Sequence, residues 1–536
     1  MSVAQTMTSG KKNDGGSFEM KDRVADVRIS NIKAAQSISQ IMRTSLGPKG
    51  MDKLIETGRG EVIISNDGAT ILKNLSVVHP TAGVLVQTSK AQDVEAGDGT
   101  TSVVVLAGSL LEKAEELLKK GIHPSQISDG FAQSLKLAES VVNECSEPIN
   151  LTDDAQLLQC VTTALSSKVI AQNSAEIAPL AIKAVKRVVD LGKADSLDLR
   201  EIRLIKKLGG TLDDTVLIDG ISFSDRRPVT SAGGPSKISG AKIALLQFSL
   251  AAPKTDIENN IAVSDYSQID RVLKEERKHI LGLVKKIAES GANVVLLQKS
   301  IVRDSINDIA LHFLAKKKIM VVRDIERTDV EFICKSVGCT PVAHIDGLTR
   351  EKLGFADLAD ELELEDGSKI FRMVVPECKT ASIVVRGSNQ LVLDEAERSI
   401  HDALCVIRCL IKNKGVVPGG GAVEIEIWRK LEEWAHKEER GALSAVVAAY
   451  AEAMEIIPST LAENCGLSSV NVITELRHRH LKGLKNSGLK AKSAQIVDNT
   501  IEHHILQPAL VNISALGLAT EAARMILKID DILQSR

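Results

Sequence analysis

The stretch Gly97-Asp98-Gly99-Thr100-Thr101-Ser102 runs directly into the apolar segment Val103–Ala107. It combines two glycines, one carboxylate and three hydroxyl side chains at the start of a predicted helix. The first turn of a helix has unpaired backbone N–H groups and the positive end of the helix dipole, and both attract anions. Glycine lets the backbone approach a phosphate closely, and a neighbouring carboxylate can bind Mg²⁺. The stretch therefore indicates either a phosphate-and-metal site or an ordinary capped helix after a tight turn.

The composition of the 536-residue chain is that of a globular protein, with 44% hydrophobic and 26% charged residues. Its length predicts roughly three domains. Aromatic residues make up only 2% of the chain, so we expect an aliphatic core built from helices and helix-covered sheets. The formal net charge of −3 offers no basic excess to a phosphate backbone, and no nucleic acid is expected among the partners.

The eight cysteines are scattered without a Cys-x-x-Cys pair, which favours reduced, buried thiols and a cytoplasmic location. The first residues lack the apolar segment of a signal peptide, and residues 1–20 are expected to form a disordered arm. We find no run of about 18 apolar residues, so no membrane segment is predicted. Four histidines are expected on exposed helix surfaces rather than in a zinc site: His478, His480, His503 and His504.

The predicted elements change character along the chain. The N-terminal third is mostly helical, with helices over 23–46, from 69 and from 100, and strands at 53–56 and 61–65. The middle part alternates short β-rich runs with helices over 266–289 and 300–316, which is typical of an α/β arrangement. These runs are Val216–Ile221, Lys242–Phe248, Val294–Gln298, Ile319–Val322 and Ser382–Arg386. A helix over 390–413 begins a helical C-terminal part, so the middle is predicted to be inserted into one discontinuous helical domain.

Four further features could serve a phosphate ligand. Gly47-Pro48-Lys49-Gly50 and Gly419-Gly420-Gly421 can bring backbone N–H groups close to a ligand, and Asn66-Asp67-Gly68 holds a carboxylate on a tight turn. The Walker A pattern is absent from the sequence, so a P-loop fold is not predicted. Inside its predicted helix, Asp402 either forms an ion pair with Arg398 or Arg408 or acts as the base for a water that attacks a phosphate.

Together these features resemble the motifs of the chaperonins, which carry them in the same order. The resembling segments are Thr44–Gly50, Asn66–Thr70, Gly97–Ser102, Asp402 and Pro418–Gly421. The resemblance extends from about Lys21 to Ile532 and is to the group II type, the subunits of the eukaryotic cytosolic TCP-1 ring complex (TRiC). A finer resemblance, to one particular subunit of that ring, rests on Ile269–Arg277, Leu297–Ile301 and Arg386–Asn389.

The resemblance implies an α+β multidomain fold of the chaperonin kind. It has a helical equatorial domain, a small intermediate domain, and an α/β apical domain with a helical lid protrusion. The implied bounds are 21–152 with 408–536 (equatorial), 153–220 with 376–407 (intermediate), 221–375 (apical) and about 252–287 (protrusion). The helix over 300–316 resembles the helix that faces clients, and its polar contacts would come from Arg303, Asp304, Asn307, Asp308 and His312.

The resemblance also implies roles in binding and hydrolysing ATP with Mg²⁺. Asp98 would bind Mg²⁺, and Asp67 and Asp402 would position and activate the attacking water. Ser167 and Lys168 would sense the γ-phosphate. The other nucleotide contacts would come from Leu46, Gly47, Pro48, Gly99, Thr100, Thr101, Ser102, Gly420 and Gln507. At Gln507 the chain departs from many family members, which carry an acidic residue there; a glutamine accepts hydrogen bonds without a charge.

The function that the resemblance implies is that of an ATP-dependent chaperone subunit. It would assemble with paralogous subunits into a double ring of eight per ring, whose closure encloses unfolded cytosolic clients such as actin and tubulin. Two other functions stay open from the residues alone. One is a ring subunit that mainly binds clients while its ATP turnover is slow or silent. The other is a phosphotransferase with a small acceptor, although the sequence contains no acceptor-site motif.

Overall fold

The computed structural model describes residues 18–58, 60–77, 79–191, 196–223, 226–251, 266–300, 304–364, 366–375, 378–437 and 441–532. These residues divide into two compact units. Unit 1 contains the described residues up to Ile149 and from Gly415 onward, and unit 2 contains those from Asn150 to Lys414. Unit 2 is thus an insertion in the chain of unit 1. The division into equatorial, intermediate and apical domains, with its bounds, stays a prediction.

Within the described ranges the chain forms sixteen α-helices. They are α1 (Phe18–Arg43), α2 (Gly68–Asn74), α3 (Pro80–Glu95), α4 (Thr100–Lys119), α5 (Pro124–Cys145), α6 (Asp154–Leu165), α7 (Ser174–Val188), α8 (Tyr266–Ser290), α9 (Asp308–Lys316), α10 (Arg327–Val337), α11 (Gln390–Lys412), α12 (Ala422–Lys437), α13 (Ala442–Met454), α14 (Ile456–Asn464), α15 (Ser469–Leu481) and α16 (Ala509–Leu527).

The same ranges contain sixteen strands, most of them short. They are β1 (Lys53–Glu56), β2 (Val62–Ser65), β3 (Glu147–Pro148), β4 (Ile202–Leu208), β5 (Val216–Ile218), β6 (Gly220–Phe223), β7 (Lys237–Leu246), β8 (Val294–Gln298), β9 (Met320–Ile325), β10 (Gly354–Glu363), β11 (Lys369–Val374), β12 (Ala381–Gly387), β13 (Gly415–Pro418), β14 (Gly488–Lys490), β15 (Gln495–Val497) and β16 (Leu506–Pro508). The mixture of helices and sheets agrees with the α+β class.

Helix α4 is the central helix of unit 1, where α1, α3, α13 and α16 pack against it. Every residue from Val103 to Leu111 is buried, because apolar and small side chains occupy all sides of this segment. Tyr450 of α13 is also fully buried. Its ring meets Phe131 edge-on with 5.6 Å between ring centres, and its hydroxyl lies 2.9 Å from the hydroxyl of Thr520. These contacts join α5, α13 and α16 in the core of unit 1.

A small three-stranded sheet brings two distant segments of unit 1 together. Strand β13 pairs antiparallel with β16 and β3, and Val417 lies opposite Gln507. The backbone N–H of Gly419 then donates to the carbonyl of Ile505 over 2.9 Å. The glycine run after β13 therefore begins beside the strand that carries Gln507.

Unit 2 contains a six-stranded sheet in the order β6-β11-β10-β7-β8-β9. Strands β7, β8 and β9 are parallel, and the other neighbours are antiparallel. Both faces of the parallel part are buried, as expected for strands that read as continuous apolar runs. A smaller sheet, β4-β12-β5, lies against α11, which also packs on α6 and α7. Helix α11 carries Asp402.

Three predicted boundaries near the N-terminus and in the middle of the chain need correction. The first helix ends at Arg43 rather than at residue 46, and residues 18–20 of the predicted arm belong to it. The rest of that arm, 1–17, lies outside the described residues. The predicted strand Val216–Ile221 is interrupted at Asp219, because Ile218 pairs with β12 whereas Gly220 pairs with β11 of the other sheet.

The predicted client-facing helix over 300–316 begins only at Asp308. The side chain of Asn307 accepts the Ile309 N–H bond and caps α9, so Asp304 and Asn307 lie outside the helix. Ile306 instead pairs with Leu250 in an isolated parallel bridge. Arg303 and residues 252–265 of the predicted protrusion lie outside the described residues. The described part of the predicted protrusion, 266–287, makes up most of α8.

Two segments of unit 1 are long and apolar enough to cross a membrane, Ala442–Asn464 and Ala509–Leu527. No such run was predicted from the sequence. In each segment 61% of the most apolar window is buried inside the protein, which is typical of core helices. None of the eight cysteines, all of which the structure describes, forms a disulfide, and five of them are buried: Cys160, Cys339, Cys378, Cys405 and Cys409.

His480 is buried, so its prediction as an exposed histidine is wrong. Its Nδ1 lies 3.0 Å from Oε2 of Glu426, and its Nε2 lies 2.9 Å from the carbonyl oxygen of Ser487. Arg429 donates further hydrogen bonds to the same carboxylate. Burial alone would raise the pKa of Glu426, but the hydrogen bonds from His480 and Arg429 outweigh burial and lower this pKa to about 2. The other three predicted histidines are exposed: His478, His503 and His504.

We expect Glu426→Gln to lower the free energy of unfolding by about 3 kcal/mol at neutral pH. The pKa of Glu426 in the folded protein lies below its ordinary value of 4.5. Its stabilising contribution is therefore complete above pH 4.5 and is lost as the pH falls toward 2. Denaturant unfolding of the wild type and the variant should differ at neutral pH and converge in acid. Glu432→Gln, on the same helix, serves as control. A difference that is equal at both pH values would contradict the assignment.

Candidate functional site

The loop before α4 presents the start of that helix to a ligand. Gly99 is the residue before the first turn and has a left-handed backbone with φ of 77°. No described side chain caps the helix. The carboxylate of Asp98 accepts the Gly99 N–H bond over 2.7 Å. Gln92 of α3 donates to the carbonyl of Asp98 over 2.9 Å, and Ser514 of α16 in turn holds the side-chain oxygen of Gln92. The loop is thus fixed from two sides while the positive helix end remains accessible.

The turn that carries Asp67 is joined directly to this loop. Asp67 caps α2, where its Oδ2 accepts bonds from the backbone N–H and the hydroxyl of Thr70 at 2.9 and 2.8 Å. Its Oδ1 accepts the hydroxyl of Thr100 over 3.0 Å. Gly68 allows the close approach, because a Cβ at this position would lie 2.7 Å from the backbone nitrogen of Thr101. Two motifs that are 30 residues apart in sequence thereby become one site.

The segment after α1 reaches the same region of unit 1. The side-chain amide of Asn464 donates to the carbonyls of Arg43 and Leu46 at 3.0 and 2.8 Å. Gly47 has a φ of 85°, and a Cβ there would lie 2.4 Å from Leu461. Leu46 and Leu461 both line a cavity, which is described next, whereas Pro48 is exposed and is not among the residues that line it.

A cavity in unit 1 brings five of the predicted site residues together: Leu46, Gly99, Ser102, Gly420 and Gln507. The first turns of three helices also line it, with Ser102 from α4, Glu424 from α12, and Val511 and Asn512 from α16. Three positive helix ends at one cavity favour an anionic ligand. Gly47, Asp98, Thr100 and Thr101 do not line the cavity themselves but lie beside residues that do.

Several residues of this site were not predicted from the sequence. Glu424 and Asn512 line the cavity, and Gln92 and Ser514 support its glycine loop. Glu424 could have been found, because it is the third residue after the glycine run, in the first turn of a helix. Gln92 and Ser514 could not have been found from the sequence, because they lie on two helices more than 400 positions apart.

Three further predicted site residues lie in unit 2. Nζ of Lys168 is 2.6 Å from Oδ2 of Asp402, and both side chains are about one-tenth exposed. Arg398, one of the two arginines expected to pair with Asp402, instead pairs with Glu395 over 2.7 Å. Ser167 lies beside Lys168 at the end of α6, and its hydroxyl donates to the carbonyl of Ala164 over 3.0 Å. A buried carboxylate and an ammonium group are therefore held in direct contact.

The family model of the TCP-1/cpn60 chaperonin family matches residues 38–536. The chain belongs to this family. Among its relatives are proteins described as T-complex protein 1 subunit delta. The one from Rattus norvegicus is 52% identical over 98% of each chain, and the one from Schizosaccharomyces pombe is 54% identical over 97% of this chain and 98% of its own. The subunit delta of Saccharomyces cerevisiae is 50% identical over 98% of this chain and 100% of its own. The finer resemblance noted in the sequence was to this delta subunit, and it is confirmed.

Proposed function

We propose that this chain binds ATP with Mg²⁺ and hydrolyses it as one subunit of a hetero-oligomeric chaperonin. The observation that carries the proposal is the meeting of three helix N-termini at one cavity of unit 1. The hydrogen bond between Asp67 and Thr100 adds a fixed carboxylate beside this region. Three positive helix ends attract a polyanion. The triphosphate of ATP is the polyanion that the resemblance of Gly97–Ser102 to the chaperonin motif implies.

Asp98 fits a role in holding Mg²⁺. One of its carboxylate oxygens accepts the Gly99 N–H bond, and no described residue donates a hydrogen bond to the other. The described residues contain no group of three or more His, Cys, Asp or Glu side chains that could hold a metal alone. Mg²⁺ is usually held by one or two carboxylates together with phosphate oxygens and water. When bound, it would neutralise charge on the phosphates during transfer.

In this proposal Asp402 and Asp67 have different roles toward the attacking water. During hydrolysis the water oxygen bonds to the γ-phosphorus, the bond to ADP breaks, and one water proton goes to a base. We assign that proton to Asp402, a buried carboxylate in contact with Lys168. Asp67 would orient the water, because Thr70 and Thr100 fix its two oxygens. Backbone N–H groups at the start of α4 would stabilise charge on the transferred group.

Lys168 would sense whether the γ-phosphate is present. Its ammonium group is bound to Asp402, and a phosphate competes well for such a group because charge-assisted hydrogen bonds are strong. If the ammonium group of Lys168 exchanged Asp402 for the γ-phosphate, the binding of ATP would be coupled to the position of α11. Ser167, next in sequence, would take part in the same exchange.

We extend the proposal to the biological role that the family resemblance implies. The chain would assemble with paralogous subunits into a double ring of eight per ring, located in the cytoplasm. ATP hydrolysis would drive closure of the chamber around unfolded proteins such as actin and tubulin. Helix α9 would face these clients, with Asp308 and His312 among its polar residues.

One observation favours a second candidate function, a ring subunit that binds clients while turning over ATP slowly. The carboxylate assigned as the base is engaged by Lys168 at 2.6 Å. If that ion pair persisted when ATP was bound, the base would stay occupied and hydrolysis would be slow. The two candidates differ in the turnover of this one subunit and not in ATP binding.

The test is made on the complex purified from cells through an affinity tag on this chain. Electron micrographs should contain two stacked rings of eight subunits, and phosphate release should require both ATP and Mg²⁺. Slow turnover of this subunit would be detected by finding the total rate unchanged both when it alone carries Asp402→Ala and when it alone carries Asp98→Asn. A monomer that binds no ATP would overturn the proposal as a whole.

We expect Gly68→Ala to weaken ATP binding about ten-fold, since overpacking of this kind costs about 1–3 kcal/mol. The added Cβ would lie 2.7 and 2.8 Å from the backbone nitrogen and hydroxyl of Thr101, so α2 must move away from the start of α4. The matched control is Gly83→Ala on α3, where a Cβ meets no atom within 4 Å. Isothermal titration with MgATP gives the comparison. Equal affinity of the two variants would contradict the close approach of the two motifs.

A further inference from the structure

Glu424 is the single ionisable residue among the sixteen described residues that line the cavity of unit 1. It lies in the first turn of α12, three residues after Gly421. Gly421 has a φ of 84°, and a Cβ there would lie 2.7 Å from Pro458, so the backbone leading into the helix is closely packed. The carboxyl group of Glu424 is therefore attached to a rigid part of the cavity wall.

A neighbouring glutamate on the same helix provides a contrast. Glu426 is bound by His480 and Arg429, and these partners account for its burial. Glu424 has no hydrogen bond or ion pair with the side chain of any other described residue. Burial raises the pKa of Glu424, and only its own backbone N–H opposes the shift. Two carboxyl groups two positions apart thus have opposite surroundings.

Glu424 is half-buried, and a carboxyl group partly removed from water loses hydrogen bonds to solvent that a ligand in the cavity can replace. A glutamate in the first turn can also stabilise its own helix through the dipole. That role does not require the side chain to line the cavity, as Glu424 does. We therefore expect the hydrogen-bond partner of Glu424 to be a ligand in the cavity that it lines.

We propose that Glu424 accepts a hydrogen bond from the nucleoside half of ATP and so selects the nucleotide. Gln507 lines the same cavity but carries no negative charge. The inference rests on the function proposed above for this cavity. A carboxylate repels phosphate oxygens, so its partner must be a donor. The hydrogen-bond donors of the nucleoside are the 2′- and 3′-hydroxyls of the ribose and the amino group of adenine. Glu424 is matched to one of these groups.

The experiment measures the affinity of the assembled complex for four nucleotides by isothermal titration. These are ATP, 2′-deoxy-ATP, 3′-deoxy-ATP and ITP, each with Mg²⁺. Wild type is compared with Glu424→Ala, Glu424→Leu and the control Glu432→Gln. We expect Glu424→Ala to bind ATP about ten-fold more weakly. The analogue that lacks the relevant donor should bind wild type more weakly than ATP does, yet bind the alanine variant as well as ATP does.

One analogue should bind more weakly than ATP to wild type but not to the alanine variant, and that analogue identifies the donor. A deoxy form would identify a ribose hydroxyl, and ITP would identify the amino group of adenine. If each analogue has the same penalty in wild type and in both Glu424 variants, the proposal is overturned. Glu424→Leu keeps the approximate size of the side chain without an oxygen acceptor and decides the question if the alanine variant does not fold. Failure of the wild type to bind ATP would refute the proposed function instead, so the two failures are distinguishable.

Discussion

Replacing Asp402 with alanine is expected to lower the rate of ATP hydrolysis at this subunit by a factor of about 10²–10⁴ and to leave ATP binding nearly unchanged. Asp402 lies on α11 of unit 2, and it is 6% exposed. None of the residues that line the cavity of unit 1 belongs to this helix. The variant therefore removes the proposed proton acceptor without altering the cavity where ATP would bind.

Lys168 makes the comparison of two variants informative. Alanine and asparagine at position 402 both leave the ammonium group of Lys168 without its carboxylate, but asparagine keeps the size of the side chain. Both should lose turnover if the proton acceptor is what matters. Each is assayed for phosphate release and for ATP affinity in the same preparation of the complex.

Asp394 provides a matched control on the same helix. It pairs with Lys206 over 2.8 Å and is 30% exposed, so Asp394→Ala also breaks an acid–lysine contact of α11. We expect this control to hydrolyse ATP at the wild-type rate. Normal turnover in Asp402→Ala while Asp98→Asn is impaired would remove Asp402 from the mechanism, and an equal loss in Asp402→Ala and Asp394→Ala would assign the effect to the packing of α11.

Regular segments of the fold were predicted most accurately where the sequence pattern is strong and local. Strand β8 matches the predicted Val294–Gln298, because a continuous apolar run bounded by polar residues has few alternatives. Helix α4 begins at Thr100 as predicted, since glycine, hydroxyl residues and an apolar run follow each other there. The helix predicted over 300–316 was wrong in its first part. Ile306 fits a helical spacing, but it pairs with Leu250 in an isolated bridge. Asn307 was an available sign of the true helix start.

The candidate site was predictable only in its backbone motifs. Glycines and hydroxyls at a helix start have a local meaning, and the resemblance supplied their order. The environment of a carboxyl group depends on side chains that are far away in sequence. Glu426 is structural because it meets His480, 54 residues later, and Asp402 meets Lys168, which is more than 200 residues earlier. No local pattern separates Glu424 from Glu426, and only the folded chain distinguishes them.

Replacing Asp98 with asparagine is expected to lower Mg²⁺-dependent ATP hydrolysis by about 100-fold or more, because metal binding supplies several kcal/mol of charge stabilisation. The asparagine oxygen can still accept the Gly99 N–H bond, so the loop before α4 should keep its conformation. What the variant loses is the negative charge that Mg²⁺ prefers in an oxygen ligand. In contrast to the Asp402 variants, this one should be impaired in nucleotide binding as well as in turnover.

The metal dependence of ATP affinity separates this role from a general loss of structure. Wild type should bind ATP more tightly with Mg²⁺ than with a chelator present, and in Asp98→Asn that difference should shrink or vanish. Asp98→Glu restores the charge on a longer side chain and should recover part of the metal dependence. An unchanged response to Mg²⁺ in the asparagine variant would mean that another group holds the metal. In that case the carboxylate of Asp98 would serve only to fix Gly99, as its 2.7 Å hydrogen bond already does.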